Sequence, residues 1–189
     1  EDKLNAFKRA TSGVENEVAQ FKPSQYFPAV LDNVEEGDSE VYRRTVKIAS
    51  STLRLPKKTV SVKLFRDRAT GIKDGKRVYG RVLGIKALRG DGSLILREVD
   101  ELIPLQAKII EAIPTTSRIL YAVGCGDSEK PHVIVVRSVE TEDFLTAKVS
   151  NLHITLLLKV ATNILDVCKT VSEVYYDLTP KPPATIEME

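Results

Sequence analysis

The sequence predicts an α+β fold with mainly antiparallel sheets of about eight strands in all, arranged as a sandwich or a partly closed barrel. Three observations support this fold class. Apolar residues recur every three or four positions at both ends and in the middle of the chain, which indicates three helices. Between residues 25 and 98, apolar and polar residues alternate and turn signals are strong, which indicates hairpins. The predicted elements do not alternate regularly between strand and helix, which favours antiparallel pairing.

Length and composition fit one folded domain. The chain has 189 residues, 42% of them hydrophobic, and a formal net charge of +2. This apolar content argues against disorder, and about 150 residues per domain is the usual size. We expect a single domain over residues 1–178, followed by an extended, Pro-rich acidic tail over residues 179–189.

The first helix is predicted over residues 2–21. Its apolar residues fall on one narrow face, with spacings of three, four and seven positions: Leu4, Phe7, Val14, Val18 and Phe21. Pro23 cannot continue the helix. Because residues 1–22 stand at the start of the sequence, it is open whether this helix is detached, docks on the core or docks on a partner.

A β-meander is predicted in the centre of the sequence. Asp74-Gly75 supplies the positive backbone angles that a tight hairpin turn requires, and a second turn is expected at residues 90–92. Valine and leucine alternate with polar residues before the first turn, as expected for a strand with one buried face. The strands predicted in this half of the chain cover residues 26–32, 42–50, 60–65, 77–88 and 94–96.

A short middle helix is predicted between Asp100, which can cap it, and Pro114, which stops it. One face of this helix is apolar and consists of Leu102, Leu105, Ile109 and Ile113. The strands predicted after it cover residues 118–123, 133–139 and 144–149.

A long amphipathic helix is predicted from Ser150 or Asn151 to about Leu178. Polar residues such as Lys159 and Asp166 fall on one side at helical spacing, and apolar residues such as Val160 fall on the other. We expect the apolar side to pack on a sheet.

Charge is distributed unevenly along the chain. The region from Val41 to Arg97 contains sixteen Lys and Arg and three Asp, a formal charge of +13, whereas the rest of the chain carries −11. A sheet with this density of basic residues would attract polyanions. The sequence therefore predicts a non-enzymatic nucleic-acid-binding protein that self-associates and contacts the phosphate backbone through a basic β-sheet face, largely independently of nucleotide sequence.

The candidate polyanion-binding residues are Arg43, Arg44, Lys57, Lys58, Lys63, Arg66, Arg68, Lys73, Lys76, Arg77 and Arg81. RNA or single-stranded DNA is the expected partner. One alternative is that these residues are solvated strand edges, or are neutralised by acidic parts of the fold or by a second subunit. Another is a structural assembly protein, of the viral matrix, capsid or movement type, whose basic face meets an anionic membrane or a packaged genome.

Residues suited to catalysis or metal binding are few. Cys125, Asp127 and His132 share one loop, and a thiol beside a histidine could act as a nucleophile, but two ligands are too few for a zinc site. The carboxylates that could assist such a thiol are Glu98, Asp100 and Glu101. A second acidic cluster is expected to be a solvated loop that could face a neighbouring copy: Asp32, Glu35, Glu36, Asp38 and Glu40. We therefore expect no catalytic residue, no metal and no cofactor.

Cysteine usage and hydropathy bear on where the protein resides. The two cysteines, Cys125 and Cys168, are too few for a disulfide scaffold or a four-cysteine zinc site. Reduced thiols favour an intracellular location, in a compartment that the sequence does not identify. The most apolar stretch, residues 152–176, is interrupted by charged residues, so no transmembrane segment is predicted.

Overall fold

The computed structural model describes residues 2–189 of the chain. Within this range the chain forms four α-helices and seven strands. The helices are α1 (Asp2–Val18), α2 (Ser39–Leu53), α3 (Val99–Ala112) and α4 (Ile154–Val167). The strands are β1 (Gln25–Asp32), β2 (Val60–Lys73), β3 (Lys76–Ala87), β4 (Thr116–Cys125), β5 (His132–Glu140), β6 (Lys148–Val149) and β7 (Val171–Asp177).

All seven strands belong to one mixed sheet, in the order β1-β5-β7-β4-β3-β2, with β6 paired to β5. The pairs β3–β4 and β5–β7 are parallel. Each parallel pair is connected through a helix, α3 for the first and α4 for the second, as parallel strands require a crossover. The predicted fold of mainly antiparallel sheets in a sandwich or partly closed barrel is therefore wrong. The fold is mixed α/β on a single sheet.

The fold-class prediction fails first at α2, because residues 42–50 are helical and do not form a strand. Asp38 caps this helix: its side chain accepts a hydrogen bond from the backbone N–H of Val41, at 3.1 Å. The buried residues recur at helical spacing: Thr45, Val46, Ala49 and Leu53. Several β-branched residues give this stretch the composition of a strand, although their spacing is that of a helix.

The prediction fails again near the C terminus, where α4 ends at Val167 and residues 171–177 form strand β7. β7 lies between β5 and β4 in the middle of the sheet, and all seven of its residues are buried. A strand that is covered on both faces shows no alternation of apolar and polar residues. Its Val and Tyr residues therefore continue the apolar pattern of the preceding helix.

The central hairpin and the middle helix are confirmed. β2 and β3 pair antiparallel around Asp74-Gly75, whose φ angles are 50° and 74°, as a two-residue hairpin turn requires. The strand predicted at residues 94–96 is a loop that makes one bridge to Leu88. The strand predicted at residues 144–149 is reduced to β6.

The helices and one face of the sheet form the larger core. Within it, α1 packs against α4 and β1. The opposite face holds a smaller cluster in which the rings of Phe65 and Tyr175 meet edge to face, with centroids 5.7 Å apart. Met188, close to the C terminus, packs against this smaller cluster. Over residues 2–189, no helix has the length and apolar character needed to cross a membrane.

Candidate functional site

The C-terminal segment, residues 179–189, pairs with Ala147 through Lys181 and reaches the free edge of β2 from Pro183 onward. The backbone N–H of Thr70 donates to the carbonyl of Glu189 at 2.8 Å, and that of Ile72 donates to the carbonyl of Pro183 at 2.7 Å. A bridge between Gly71 and Ala184 continues this pairing. The sequence predicts an extended tail here, and the structure holds this segment against the sheet.

Two buried arginines lie under the C-terminal segment. Arg118 of β4 and Arg137 of β5 each contact the carboxylate of Asp177 on β7, at 3.1 and 2.9 Å, and all three side chains are 0% exposed. Burial lowers the pKa of Arg118 to about 10, while the charge of Asp177 opposes this shift. Because that pKa stays well above 7, Arg118 is charged at neutral pH. The strand order places β7 between β5 and β4, which brings the three residues together.

A cleft of about 620 Å³ opens beside the C-terminal segment. Four parts of the fold supply its walls: α1, β1, the β2–β3 hairpin and the last three residues. The lining residues with side chains suited to ligand binding are Lys3, Phe7, Asp67, Arg68, Tyr79, Glu187 and Glu189. Tyr79 is 70% exposed and Phe7 is 42% exposed, so both present aromatic surface.

A β-bulge in β2 brings two of these residues to the cleft. The register of β2 against β3 shifts between Phe65 and Arg68, and bulges redirect the side chains beside them. The carboxylate of Asp67 accepts a hydrogen bond from the backbone N–H of Asp32 at 2.8 Å. Lys3 forms an ion pair with Asp32 at 3.1 Å across the same wall. The cleft therefore carries both cations and carboxylates beside aromatic surface.

The acidic cluster predicted as a solvated loop pairs with two predicted polyanion-binding residues of the same chain. Arg68 contacts Glu36 at 2.8 Å, and Arg81 contacts Asp38 at 2.9 Å and Glu36 at 3.5 Å. This network connects the segment before α2 with the β2–β3 hairpin. Glu36 and Asp38 therefore face their own hairpin in this structure.

Lys63, another predicted polyanion-binding residue, is largely buried at the far end of β7. It contacts Glu173 at 2.5 Å and the side-chain oxygen of Asn33 at 2.6 Å. Tyr175 also donates to Glu173 at 2.5 Å, and Lys86 lies 3.5 Å from the same carboxylate. Lys63 is thus neutralised by a buried partner.

The remaining predicted residues lie in three separate places. Arg43 and Arg44 are exposed on α2, where Arg44 donates to the carbonyl of Ala112 at 2.6 Å. Lys57 and Lys58 are exposed in the short turn before β2. The others lie on the β2–β3 hairpin: Arg66, Lys73, Lys76 and Arg77. The basic residues therefore do not converge on one sheet face, and polyanion binding by these residues stays a prediction.

The candidate catalytic loop is divided by the sheet. Cys125 ends β4 and His132 begins β5, and β7 lies between these two strands. Cys125 is exposed, yet partial desolvation of its thiol raises the thiol's pKa, which disfavours the nucleophilic thiolate. Nδ1 of His132 lies 3.1 Å from the hydroxyl of Thr170. Glu98 lies at the start of α3, and its carboxylate accepts a hydrogen bond from the backbone N–H of Ile154 at 3.1 Å.

Sequence reasoning missed Arg118, Arg137 and Asp177, although each leaves a signal. Arg118 and Arg137 are single charges inside apolar strands, and Asp177 ends the apolar run of β7. Charged residues are rarely buried unless they are paired. Isolated charges in predicted central strands therefore indicate a buried ion pair, and the three form one here.

Part of the chain matches the model of an enzyme family. Residues 122–188 match the family model of the GMP synthase C terminal domain. This range contains Arg137, Asp177 and most of the C-terminal segment.

The chain is also similar to proteins that are named as GMP synthases or their subunits. A subunit of the glutamine-hydrolyzing GMP synthase of Sulfurisphaera tokodaii is 30% identical over 188 residues, which is 100% of this chain and 44% of that protein. The corresponding protein of Saccharolobus solfataricus is 29% identical over 188 residues, or 43% of its length. The glutamine-hydrolyzing GMP synthase of Blochmanniella floridana is 51% identical over 65 residues, which is 34% of this chain and 12% of that protein. The chain thus spans less than half the length of these relatives.

These findings correct the functional predictions. A non-enzymatic nucleic-acid-binding protein is the wrong class, and so is a viral structural protein, because the chain is similar over its whole length to subunits of an enzyme of nucleotide synthesis. The charge count misleads because Lys63, Arg68 and Arg81 are paired with carboxylates inside the chain.

Proposed function

We propose that this chain acts as the C-terminal part of a GMP synthase and that its cleft binds the purine nucleotide. The observation that carries the proposal is 30% identity to a GMP synthase subunit over 188 residues, the whole length of the chain. The match of residues 122–188 to the GMP synthase C terminal domain supports the same assignment.

The cleft suits a nucleotide in size and chemistry. Its volume of about 620 Å³ lies within the usual range of small-molecule sites. The exposed rings of Tyr79 and Phe7 offer apolar surface on which a purine base can stack. Lys3 and Arg68 line the cleft and can donate to a phosphate group, although each already pairs with a carboxylate, Lys3 with Asp32 at 3.1 Å and Arg68 with Glu36 at 2.8 Å.

The carboxylates of the cleft are also compatible with a guanine base. An ionised carboxylate accepts hydrogen bonds and donates none, and the exocyclic amine of guanine is a donor. Glu187 and Glu189 line the cleft on the C-terminal side, where either could accept from that amine. The proposed role of the chain is to bind and orient the nucleotide.

The assignment to a GMP synthase can be tested in a chimera. The matching region of the Sulfurisphaera tokodaii protein is replaced by residues 1–189 of this chain, and glutamine-dependent GMP formation is measured. We expect the folded chimera to form GMP. A folded chimera with no GMP formation would contradict the assignment.

The cleft can be tested by titrating the 189-residue chain with GMP and measuring the dissociation constant. Tyr79→Ala should weaken binding by about tenfold, because stacking on an aromatic ring contributes about 1–3 kcal/mol per base. Tyr42→Ala is the matched control, since Tyr42 is 41% exposed on α2 and does not line the cleft. Equal affinity of the Tyr79→Ala and Tyr42→Ala variants would place the nucleotide elsewhere.

A further inference from the structure

The ion-pair group of Arg118, Arg137 and Asp177 carries more positive than negative charge. Two guanidinium groups share one carboxylate, and all three side chains are 0% exposed. A buried ion is costly unless further hydrogen bonds satisfy it. The remaining N–H groups of both arginines therefore need oxygen acceptors from another part of the chain.

The C-terminal segment supplies those acceptors. Nε of Arg137 donates to the carbonyl of Ile186 at 2.5 Å, and its Nη2 donates to the carbonyl of Thr185 at 2.7 Å. Nη2 of Arg118 donates to the hydroxyl of Thr185 at 2.6 Å and to the carbonyl of Glu187 at 2.8 Å. Thr185, Ile186 and Glu187 thus accept hydrogen bonds from the two buried arginines. Such charged donors make stronger hydrogen bonds than neutral groups.

The same three residues lead directly into the cleft wall. Glu187, Met188 and Glu189 line the cleft, while Thr185 and Ile186 sit on the arginines one or two positions earlier. If the segment left the sheet, the arginines would lose most of their acceptors inside the fold. The arginines and the cleft wall should therefore be ordered together.

We propose that Arg118 and Arg137 are positioning residues that hold residues 185–187 in the orientation needed for nucleotide binding in the cleft. This inference rests on the proposed function. The arginines are buried beneath the segment and act on the nucleotide through it. A wall that is held in place before the ligand arrives reduces the ordering cost of binding.

Thr185 allows a mild test that leaves the buried ions in place. Thr185→Val removes the hydroxyl that Arg118 contacts and keeps the shape of the side chain, whereas Thr185→Ser keeps the hydroxyl. Thr162→Val is a control for the substitution itself, because Thr162 is exposed on α4 and bonds within its own helix. Arg137→Lys is the stronger perturbation, since lysine cannot make the donor fork of arginine.

The first measurement is hydrogen exchange at the amides of Thr70 and Ile72, which donate to the C-terminal segment. Thr185→Val should raise both exchange rates by about tenfold or more, since the segment loses a hydrogen bond to a charged group, which is stronger than one between neutral groups. Arg137→Lys should raise them further. Amides of β4 and β7 should keep their protection, and Thr185→Ser and Thr162→Val should behave as wild type.

The second measurement is the dissociation constant for GMP in the same proteins. We expect Thr185→Val to weaken binding by about tenfold and Thr185→Ser to restore it. Wild-type exchange rates and affinity in Thr185→Val would overturn the inference, even if Arg137→Lys failed to fold. If the wild-type chain does not bind GMP, the proposed nucleotide site is wrong, and the exchange rates alone still decide whether the arginines hold the segment.

Discussion

Replacing Glu173 by Gln should lower the free energy of unfolding by about 3 kcal/mol. The Glu173 side chain is 5% exposed and accepts from Lys63 and Tyr175, both at 2.5 Å, with Lys86 at 3.5 Å. An exposed ion pair would contribute at most about 1 kcal/mol. Removing one partner of a buried pair costs about 3–5 kcal/mol, because the other charge is left uncompensated. Gln keeps the shape and one acceptor, so the lower end of that range applies.

The pH dependence of this effect follows from the pKa of Glu173. Burial alone would raise this pKa, but hydrogen bonds from Lys63 and Tyr175 and the charges of both lysines lower it below its ordinary value of 4.5. A carboxyl group whose pKa is lowered in the folded state stabilises the fold above its unfolded pKa. That stabilisation is lost as the pH falls through the folded pKa. The difference between wild type and Glu173→Gln should therefore be full at neutral pH and shrink well below pH 4.5.

Urea unfolding followed by circular dichroism measures this difference. Glu142→Gln is the matched control, because Glu142 is exposed and the same charge is removed. Surface substitutions usually change stability by about 0.5 kcal/mol or less. A Glu173→Gln protein as stable as Glu142→Gln at neutral pH would refute the reasoning, and so would a difference that does not shrink in acid.

Three further predictions concern single positions. Gly124→Ala should lower the free energy of unfolding by about 1–3 kcal/mol, because the added Cβ would lie 2.8 Å from Cβ of Ala161. Gly90→Ala is the control: Gly90 has open space around it, so the free energy of unfolding should not change in the same urea assay. Asp38→Ala should lower the melting temperature more than Asp38→Asn, because Asn keeps the helix cap; equal melting temperatures would contradict this. Partial desolvation raises the pKa of the Cys125 thiol above its ordinary 9.0 although the residue is exposed, so its alkylation rate should still rise with pH beyond pH 9, and a plateau below pH 9 would contradict the raised pKa.

Local turns could be predicted from the sequence, and contacts between residues far apart in the chain could not. The hairpin at Asp74-Gly75 depends on two adjacent residues, so its turn is visible in the sequence. β7 reads as part of a helix because both of its faces are buried, which removes the alternation that identifies a strand. Arg137 and Thr185 lie 48 positions apart, and a single sequence carries no signal that pairs them. The cleft wall could therefore be seen only once the strand order was known.

The uneven charge along the chain has a different meaning in the folded protein. The region with a formal charge of +13 and the rest with −11 meet in ion pairs that join distant segments. Arg68 and Arg81 contact Glu36 and Asp38, and Lys63 contacts Glu173. Such pairs can stabilise one particular arrangement of strands, because a wrong register would leave a charge unpaired. A block of basic residues in a sequence therefore indicates a polyanion site only when acidic residues elsewhere in the chain do not pair with it.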